Sequence, residues 1–451
     1  MRPGINRTIF IIIVLVGLIL RLWGLGFGLP YPFHQDEPVV VNHALAYGTG
    51  DLNPHFFAIP PLTSYLLFFI YGIFFIVGKI FGVYPSAEDF AIQFFKDPTA
   101  FYLIGRFFIG VLPGILCIIF TYQLARKFMS VRVALYSSAI MAISFLNVIN
   151  SHYIYTDMLL VMLTILTYIS LFLIYEKSSV RNYCITGIFL GLAVGVKYNA
   201  VLLAIPYLLT HLAAMKRNRE EWKNIILSRN LWAGGLVSII TFILVNPFMV
   251  LDFPGFSGSF MHQAGAFWYT GWKHHIFYSL SEGISLHLAV IGVIGLVLLF
   301  FKKAAWGKIF ISFPVVFYVV LVYRSQHFAR YVLPLVPFLA IGASYLIFEY
   351  LYKLFKFPLV QKLIVFISIC WLIPTGVKSI KADMLFSSED TRVVAADWIK
   401  ENLPKGTKIA CDSTNFRPTL KQPYSQLEEK KEFLKEQTGL EEIKAKKLQL
   451  M

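Results

Sequence analysis

Apolar residues along this chain gather in runs of membrane length, parted by short polar intervals. The first run, Ile9–Leu22, follows Arg2 and Arg7. Lys and Arg collect on the cytoplasmic side of such proteins, so the N-terminus is expected inside and the next interval outside. Two further apolar stretches, Pro60–Phe81 and Leu103–Leu124, precede a basic turn with Arg126, Lys127 and Arg132. If both crossed, that turn would land on the wrong side. Pro60–Phe81 opens with two prolines and is therefore expected to lie along, or dip into, the outer interface without a net crossing.

From there the parity is regular. Val133–Val148 goes out, Met158–Tyr175 returns, Tyr183–Val196 goes out and Ala200–Ala214 returns to a basic KRNREEWK turn. Leu231–Pro247 and Gly283–Phe301 form the next pair, then Ile309–Val322 and Tyr331–Tyr350, and Leu363–Gly376 goes out last. The pattern predicts about eleven crossings. Beyond them, Ser388–Asn402 reads as an amphipathic helix capped by Ser387, Ser388 or Asp390. Leu403–Gly406 reads as a turn, Thr407–Cys411 as a short buried strand and Glu428–Lys447 as a charged helix.

Composition sharpens this picture. Of 451 residues, 57% are hydrophobic and 14% charged, which excludes an ordinary soluble domain. The expected fold class is an all-α polytopic membrane protein with an outer-face juxtamembrane helix region and a small C-terminal extracytoplasmic α/β segment. Residues 1–379 would form the transmembrane domain and residues 380–451 the appendage. No small-residue cleavage site follows the first run, so it is expected to stay as an anchor. The net charge of +15 fits cytoplasmic loops and implies no nucleic-acid partner. Cys117, Cys184, Cys370 and Cys411 suggest neither a disulfide framework nor a zinc site.

Candidate chemistry concentrates in the first polar interval, Phe33–Leu62. It holds an adjacent acidic pair, Asp36 and Glu37, with His34, Asn42, His43 and His55 nearby, and no Lys or Arg stands between Trp23 and Lys79. Ionisable groups beside a bilayer are costly and usually functional. The pair reads either as the acidic start of an interfacial helix or as a general base or metal ligand. Asp157, in the short turn SHYIYTDM, comes to the same side by parity and reads as a helix cap or a second site acid. Lys197, Arg324 and Arg330, the latter two flanking His327, also fall on that side, against the charge trend. Arg106 begins a crossing there. These cations either snorkel or bind an anion such as a lipid phosphate.

The ordered set of motifs resembles the C-type, multi-spanning glycosyltransferases, nearest the protein O-mannosyltransferase and aminoarabinose-transferase group (glycosyltransferase family 39-like). It comprises the DE pair after the first crossing, PPL, the Arg106-led crossing, the Asp157 turn, GLAVGVKYN, ARYVLPLVPFLA and DTRVVAADWIKENLPKGTKIA. The resemblance implies sugar transfer, with inversion, from a polyprenyl-phosphate donor at the outer face. It implies Asp36 as base, Glu37 in support or on the acceptor, Asp157 as the second acid, and Lys197, Arg324 and Arg330 at the donor phosphate. Many relatives carry His before the two prolines, where this chain has Ile59; His55 lies four residues earlier. The expected partners are the lipid donor, membrane lipids and a protein, glycolipid or cell-envelope glycan acceptor. No metal is required by this scheme, although Glu37, Asp157 and the histidines could hold a divalent ion. The competing classes are a lipid-linked sugar transporter or flippase, an oligosaccharide transferase or polymerase on the same fold, and an inactive structural subunit. No internal repeat of the transporter kind is visible.

Overall fold

The computed structural model describes residues 3–264, 271–302, 304–323, 328–404 and 406–410. Within these residues every regular element is helical. The helices that frame the site are α1 Pro3–Leu22, α2 Glu37–Ala46, α3 Leu62–Ile80, α4 Thr99–Phe128, α5 Val131–Ile143, α6 Phe145–Asn150, α7 Thr156–Glu176, α8 Val180–Val196, α9 Tyr198–Arg217 and α10 Arg229–Val245, with shorter helices such as Ala87–Lys96 and Phe253–Ala264 between them. They continue as α11 Trp272–Ile284, α12 Leu286–Lys302, α13 Ala305–Val322, α14 Ala329–Leu354, α15 Pro358–Phe386 and α16 Thr391–Asn402.

Among the described residues, nine helices are long and apolar enough to cross a membrane, or ten if the bent pair α11–α12 is one span. The chain is thus an integral, multi-pass α-helical protein. Each expected crossing falls on a helix, but α5 and α8 are shorter apolar helices. A 13-residue helix such as α5 rises only about 20 Å, less than the hydrocarbon thickness. The expected stretch Gly283–Phe301 starts at a sharp break: α11 and α12 meet at 102° about Ser285, whose φ is +72°.

The stretch expected not to cross, α3, is itself long and apolar enough to do so. Its packing shows where it runs. Leu67 packs on Gly105, and Tyr71 donates a hydrogen bond to the Phe101 carbonyl. α3 therefore runs antiparallel to the beginning of α4, away from the basic end of α4 at Arg126 and Lys127.

Small residues bring the helices together, as expected where lipid tails supply no hydrophobic drive. Gly187 and Gly191 of α8 lie against the α10 backbone, and Gly292 and Gly295 of α12 against α14. α14 is the central helix, 94% buried in its most apolar window, whereas α10 is 11% buried. The exposed Trp232, Leu236, Ile239 and Leu244 of α10 form a surface suited to lipid.

At the end of the chain, α15 runs unbroken through residues 379 and 380 to Phe386. Helix-forming polar residues continue a turn that apolar length alone would end at Gly376. The expected cap resolves to Asp390, whose carboxylate accepts from the Arg392 backbone N–H at the start of α16. The expected strand is not formed in the described residues: 407–410 carry no regular structure and are exposed, and among the described residues no strand pairs with them. Cys411 and the expected Glu428–Lys447 helix lie outside the described residues.

Candidate active site

The site is built where the first interval, the α6–α7 turn, the α8–α9 hinge and the start of α14 converge. Asp36 stands at the N-cap of α2, followed by Glu37 and Pro38, but its side chain makes no capping hydrogen bond. Its carboxylate meets Arg330 Nη2 at 2.9 Å instead. Arg330 Nε lies 3.6 Å from Asp157 Oδ2, and Asp157 Oδ1 accepts from Lys197 Nζ at 2.7 Å. Four charges of alternating sign thus form one string, Asp36–Arg330–Asp157–Lys197. A charged group this far from bulk water needs such partners.

Local structure explains each position. Asp157 lies in the first turn of α7, and Tyr155 rather than an acid is the N-cap residue. Lys197 is the C-cap of α8, where a helix end favours a cation. Arg330 begins α14 with its guanidinium over the rings of Tyr155, at 5.1 Å, and Phe328, at 4.7 Å. Exposure divides the two acids: the Asp36 side chain is 26% exposed and that of Asp157 only 3%.

Glu37 has a different fate. It is fully buried, and its carboxylate takes a bidentate fork from Arg106, with Nε and Nη2 each at 2.8 Å. The Ile154 backbone N–H donates to it as well. Arg106 Nη1 donates to the carbonyls of Leu25 and Phe27, and its guanidinium lies 4.1 Å from the Phe27 ring centroid. Neither snorkelling nor an open anion site describes Arg106; it is an internal clamp. It opens a π-helical turn, Arg106–Val111, just ahead of Pro113. A proline without an N–H interrupts the α ladder there, and such bulges recur at functional sites. Next to that turn, Gly110 admits the α6–α7 turn: a Cβ would meet the Ser151 carbonyl oxygen at 2.3 Å.

His55 stands apart, exposed and paired with Asp51 at 3.0 Å. Arg324 and His327 lie outside the described residues. Aromatic residues complete the site. His34 stacks on Tyr153 with centroids 3.9 Å apart, and burial pushes its imidazole down to about 4 despite the nearby Glu37. Lys197 Nζ lies 5.2 Å from the Tyr331 ring centroid. Tyr198 donates to the Phe57 carbonyl, tying the first interval to the α8–α9 hinge. The tyrosines of SHYIYTDM read equally well as a membrane-interface belt, and their site contacts had no separate sequence signal. Among the described residues no group of three or more His, Cys, Asp or Glu is arranged to hold a metal.

Comparisons with known proteins bear on the fold. Residues 92–248 match the family model of dolichyl-phosphate-mannose-protein mannosyltransferase, a segment that holds Arg106, Asp157 and Lys197. No curated protein matches the chain. Among solved structures, the Archaeoglobus fulgidus oligosaccharyltransferase AglB, in complex with an inhibitory peptide and a dolichol-phosphate, superposes with a TM-score of 0.56 at 14% identity. That match covers 93% of this chain and 61% of AglB, so the chain spans about three-fifths of that protein's length. ArnT from Cupriavidus metallidurans bound to undecaprenyl phosphate superposes at 0.55 with 16% identity, covering 78% of this chain and 62% of ArnT. In the apo state ArnT gives 0.55 and 15%, covering 88% and 81%. The chain has the C-type glycosyltransferase fold, and its recognised relatives are glycosyltransferases.

Proposed function

We propose that this protein transfers a sugar from a polyprenyl-phosphate donor to a hydroxyl group of a protein, glycolipid or cell-envelope glycan, at the outer face of the membrane. The carrying observation is the string Asp36–Arg330–Asp157–Lys197. Lys197 and Arg330 bind the donor phosphate. Asp157, nearly inaccessible, holds both cations in position. Asp36, the more exposed acid, is the base.

The acceptor oxygen attacks the anomeric carbon from the side opposite the phosphate, and its proton passes to the Asp36 carboxylate. The bond from that carbon to the phosphate oxygen breaks, and polyprenyl phosphate leaves with the electron pair. A single displacement of this kind inverts the anomeric centre, through an oxocarbenium-like state. Lys197 and Arg330 stabilise the charge that develops on the leaving oxygen, so the scheme uses no divalent metal. Arg330 also couples the two ends of the reaction. When the phosphate draws it off, the Asp36 carboxylate is released from its ion pair.

The wider arrangement follows from the same reading. The N-terminus is cytoplasmic, about eleven helices cross, and α3 lies on the outer side. Residues beyond α15 are extracytoplasmic. AglB and ArnT, bound to dolichol-phosphate and undecaprenyl phosphate respectively, support the class of donor.

The test is transfer from a panel of labelled polyprenyl-phosphate sugars to a membrane acceptor extract, by wild type and Asp36→Asn in detergent. Transfer by wild type alone, with both proteins binding undecaprenyl phosphate, is the expected result. Full activity of Asp36→Asn removes it from the mechanism. Binding without transfer by wild type points to a lipid-linked sugar transporter.

A further inference from the structure

Beneath the site, three chain segments bury a second polar cluster that the proposed chemistry does not use. His152 belongs to the turn between α6 and α7 and is fully buried. Its Nδ1 lies 2.9 Å from the Val148 carbonyl oxygen and its Nε2 3.0 Å from the Trp23 carbonyl oxygen. Carbonyls only accept, and a neutral imidazole has one N–H to give. A neutral ring would therefore turn a lone pair toward one of them. The doubly protonated ring satisfies both.

The surroundings favour that form. Val148 lies in the last turn of α6, and Trp23 directly follows α1, so the ring caps two helix C-termini, where a positive charge is stabilised. A counter-ion stands close: Asp383 Oδ1 of α15 is 3.8 Å from Nε2, with both side chains buried. Neither Asp383 carboxylate oxygen has a hydrogen-bond partner among the described residues. Such a group is costly unless a charge faces it. Arg21 of α1 and Arg106 of α4 are the other charged groups acting on His152, and both oppose its charge. Arg21, however, spends its donors on the Gly17, Met141 and Ala142 carbonyls and on Ser151. Desolvation is the largest influence on the ring and outweighs the two carbonyls, so the net pull is downward; the two helix ends and the Asp383 carboxylate stand against it.

We propose that Asp383 is a positioning residue that holds His152 as an imidazolium and thereby fixes the 151–157 turn on which the donor site is built. The turn carries several contacts of the candidate site. Ile154 donates its N–H to Glu37, Tyr153 stacks on His34, Tyr155 lies beneath Arg330, and Asp157 anchors both cations. If the ring loses its second proton, one carbonyl contact becomes repulsive and the turn loosens. The positioning role rests on the donor-site reading above; the charge on His152 does not.

The experiment has two arms, both on the full chain in lipid nanodiscs. In the first, histidine side-chain 15N NMR, with His152 assigned by difference against His152→Gln, reads its protonation. Both ring nitrogens are expected to be protonated at pH 7.5 in wild type and Asp383→Glu, and only one in Asp383→Asn. A neutral His152 in wild type, or one indifferent to Asp383→Asn, overturns the proposal. In the second, undecaprenyl phosphate binding is measured against pH. Asp383→Asn is expected to approach wild type as the pH is lowered and to fall about 10-fold below it at pH 8. Asp383→Glu is expected to restore binding. A loss equal at every pH marks a merely structural residue and overturns the positioning role. Failure of wild type to bind at any pH sinks the donor reading, while the first arm still decides the charge on His152.

Discussion

Arg330, at the start of α14, holds the Asp36 carboxylate at 2.9 Å, although the acid's own loop contains no cation of either kind. The contact joins the beginning of the chain to its last third. It also gives one guanidinium two acids to serve, since its Nε faces Asp157. On the proposed function, removing Arg330 affects phosphate binding and the setting of the base together. Arg330→Ala and Lys197→Ala are each expected to weaken undecaprenyl phosphate binding by roughly 10-fold or more, read by titration in detergent. Unchanged affinity in both removes the phosphate-site assignment.

Glu37→Gln should damage stability before chemistry. It leaves the fully buried Arg106 with no anionic partner, and breaking one side of such a pair costs about 3–5 kcal/mol. The double variant Glu37→Gln/Arg106→Gln is expected to lose less than the two single changes added together, because it strands no charge. Thermal unfolding in detergent measures all three. Strict additivity would show that the two residues do not act as a pair.

Gly24→Ala is expected to disturb the junction of α1 and α15. The residue sits at φ +79°, and a Cβ would come within 2.7 Å of the Phe386 Cβ. Left-handed backbone and a close approach to a rigid position combine here, for a cost of about 1–3 kcal/mol. A melting temperature equal to wild type would contradict the packing described.

His34 gives a dependence on pH. Its folded value of about 4 lies below its usual 6.5, so between the two the unfolded chain binds a proton that the folded chain refuses. The stabilising share of this group is complete above about pH 6.5 and is lost as the pH falls toward 4, by roughly 3 kcal/mol. His34→Gln should flatten the acid limb of a melting-temperature profile. An unaltered limb assigns that sensitivity to other groups.

Much of this site was legible in the sequence, and for one reason. Asp36, Asp157, Lys197 and Arg330 each stand at the border of an apolar run, and counting crossings brings all four borders to one side. What parity cannot give is the partner within that side. Glu37 and Arg106 read as separate candidates for acceptor and phosphate, yet they satisfy each other, because periodicity gives a helix face and not the residue opposite it. His55 read as a candidate through its distance from the prolines, yet it faces Asp51. Asp383 was out of reach for another reason. Apolar length ends the last run at Gly376, while the helix, whose geometry tolerates polar residues, carries on to Phe386.

Phe27 meets the Arg106 guanidinium, at 4.1 Å, and the Phe386 ring, at 4.6 Å. The first residue leaves the ribosome early, and Phe386 only after α15 is complete. Arg330 and Asp383 are also latecomers. During synthesis Asp36, Glu37 and Asp157 are thus already in the bilayer while Asp36 still lacks its cation and His152 its counter-ion. Asp36 gains its cation with α14, and His152 its acid with α15. A chain interrupted before α15 would hold all four charges of the string but neither Asp383 nor Phe386, leaving His152 without its acid and Phe27 without its ring partner.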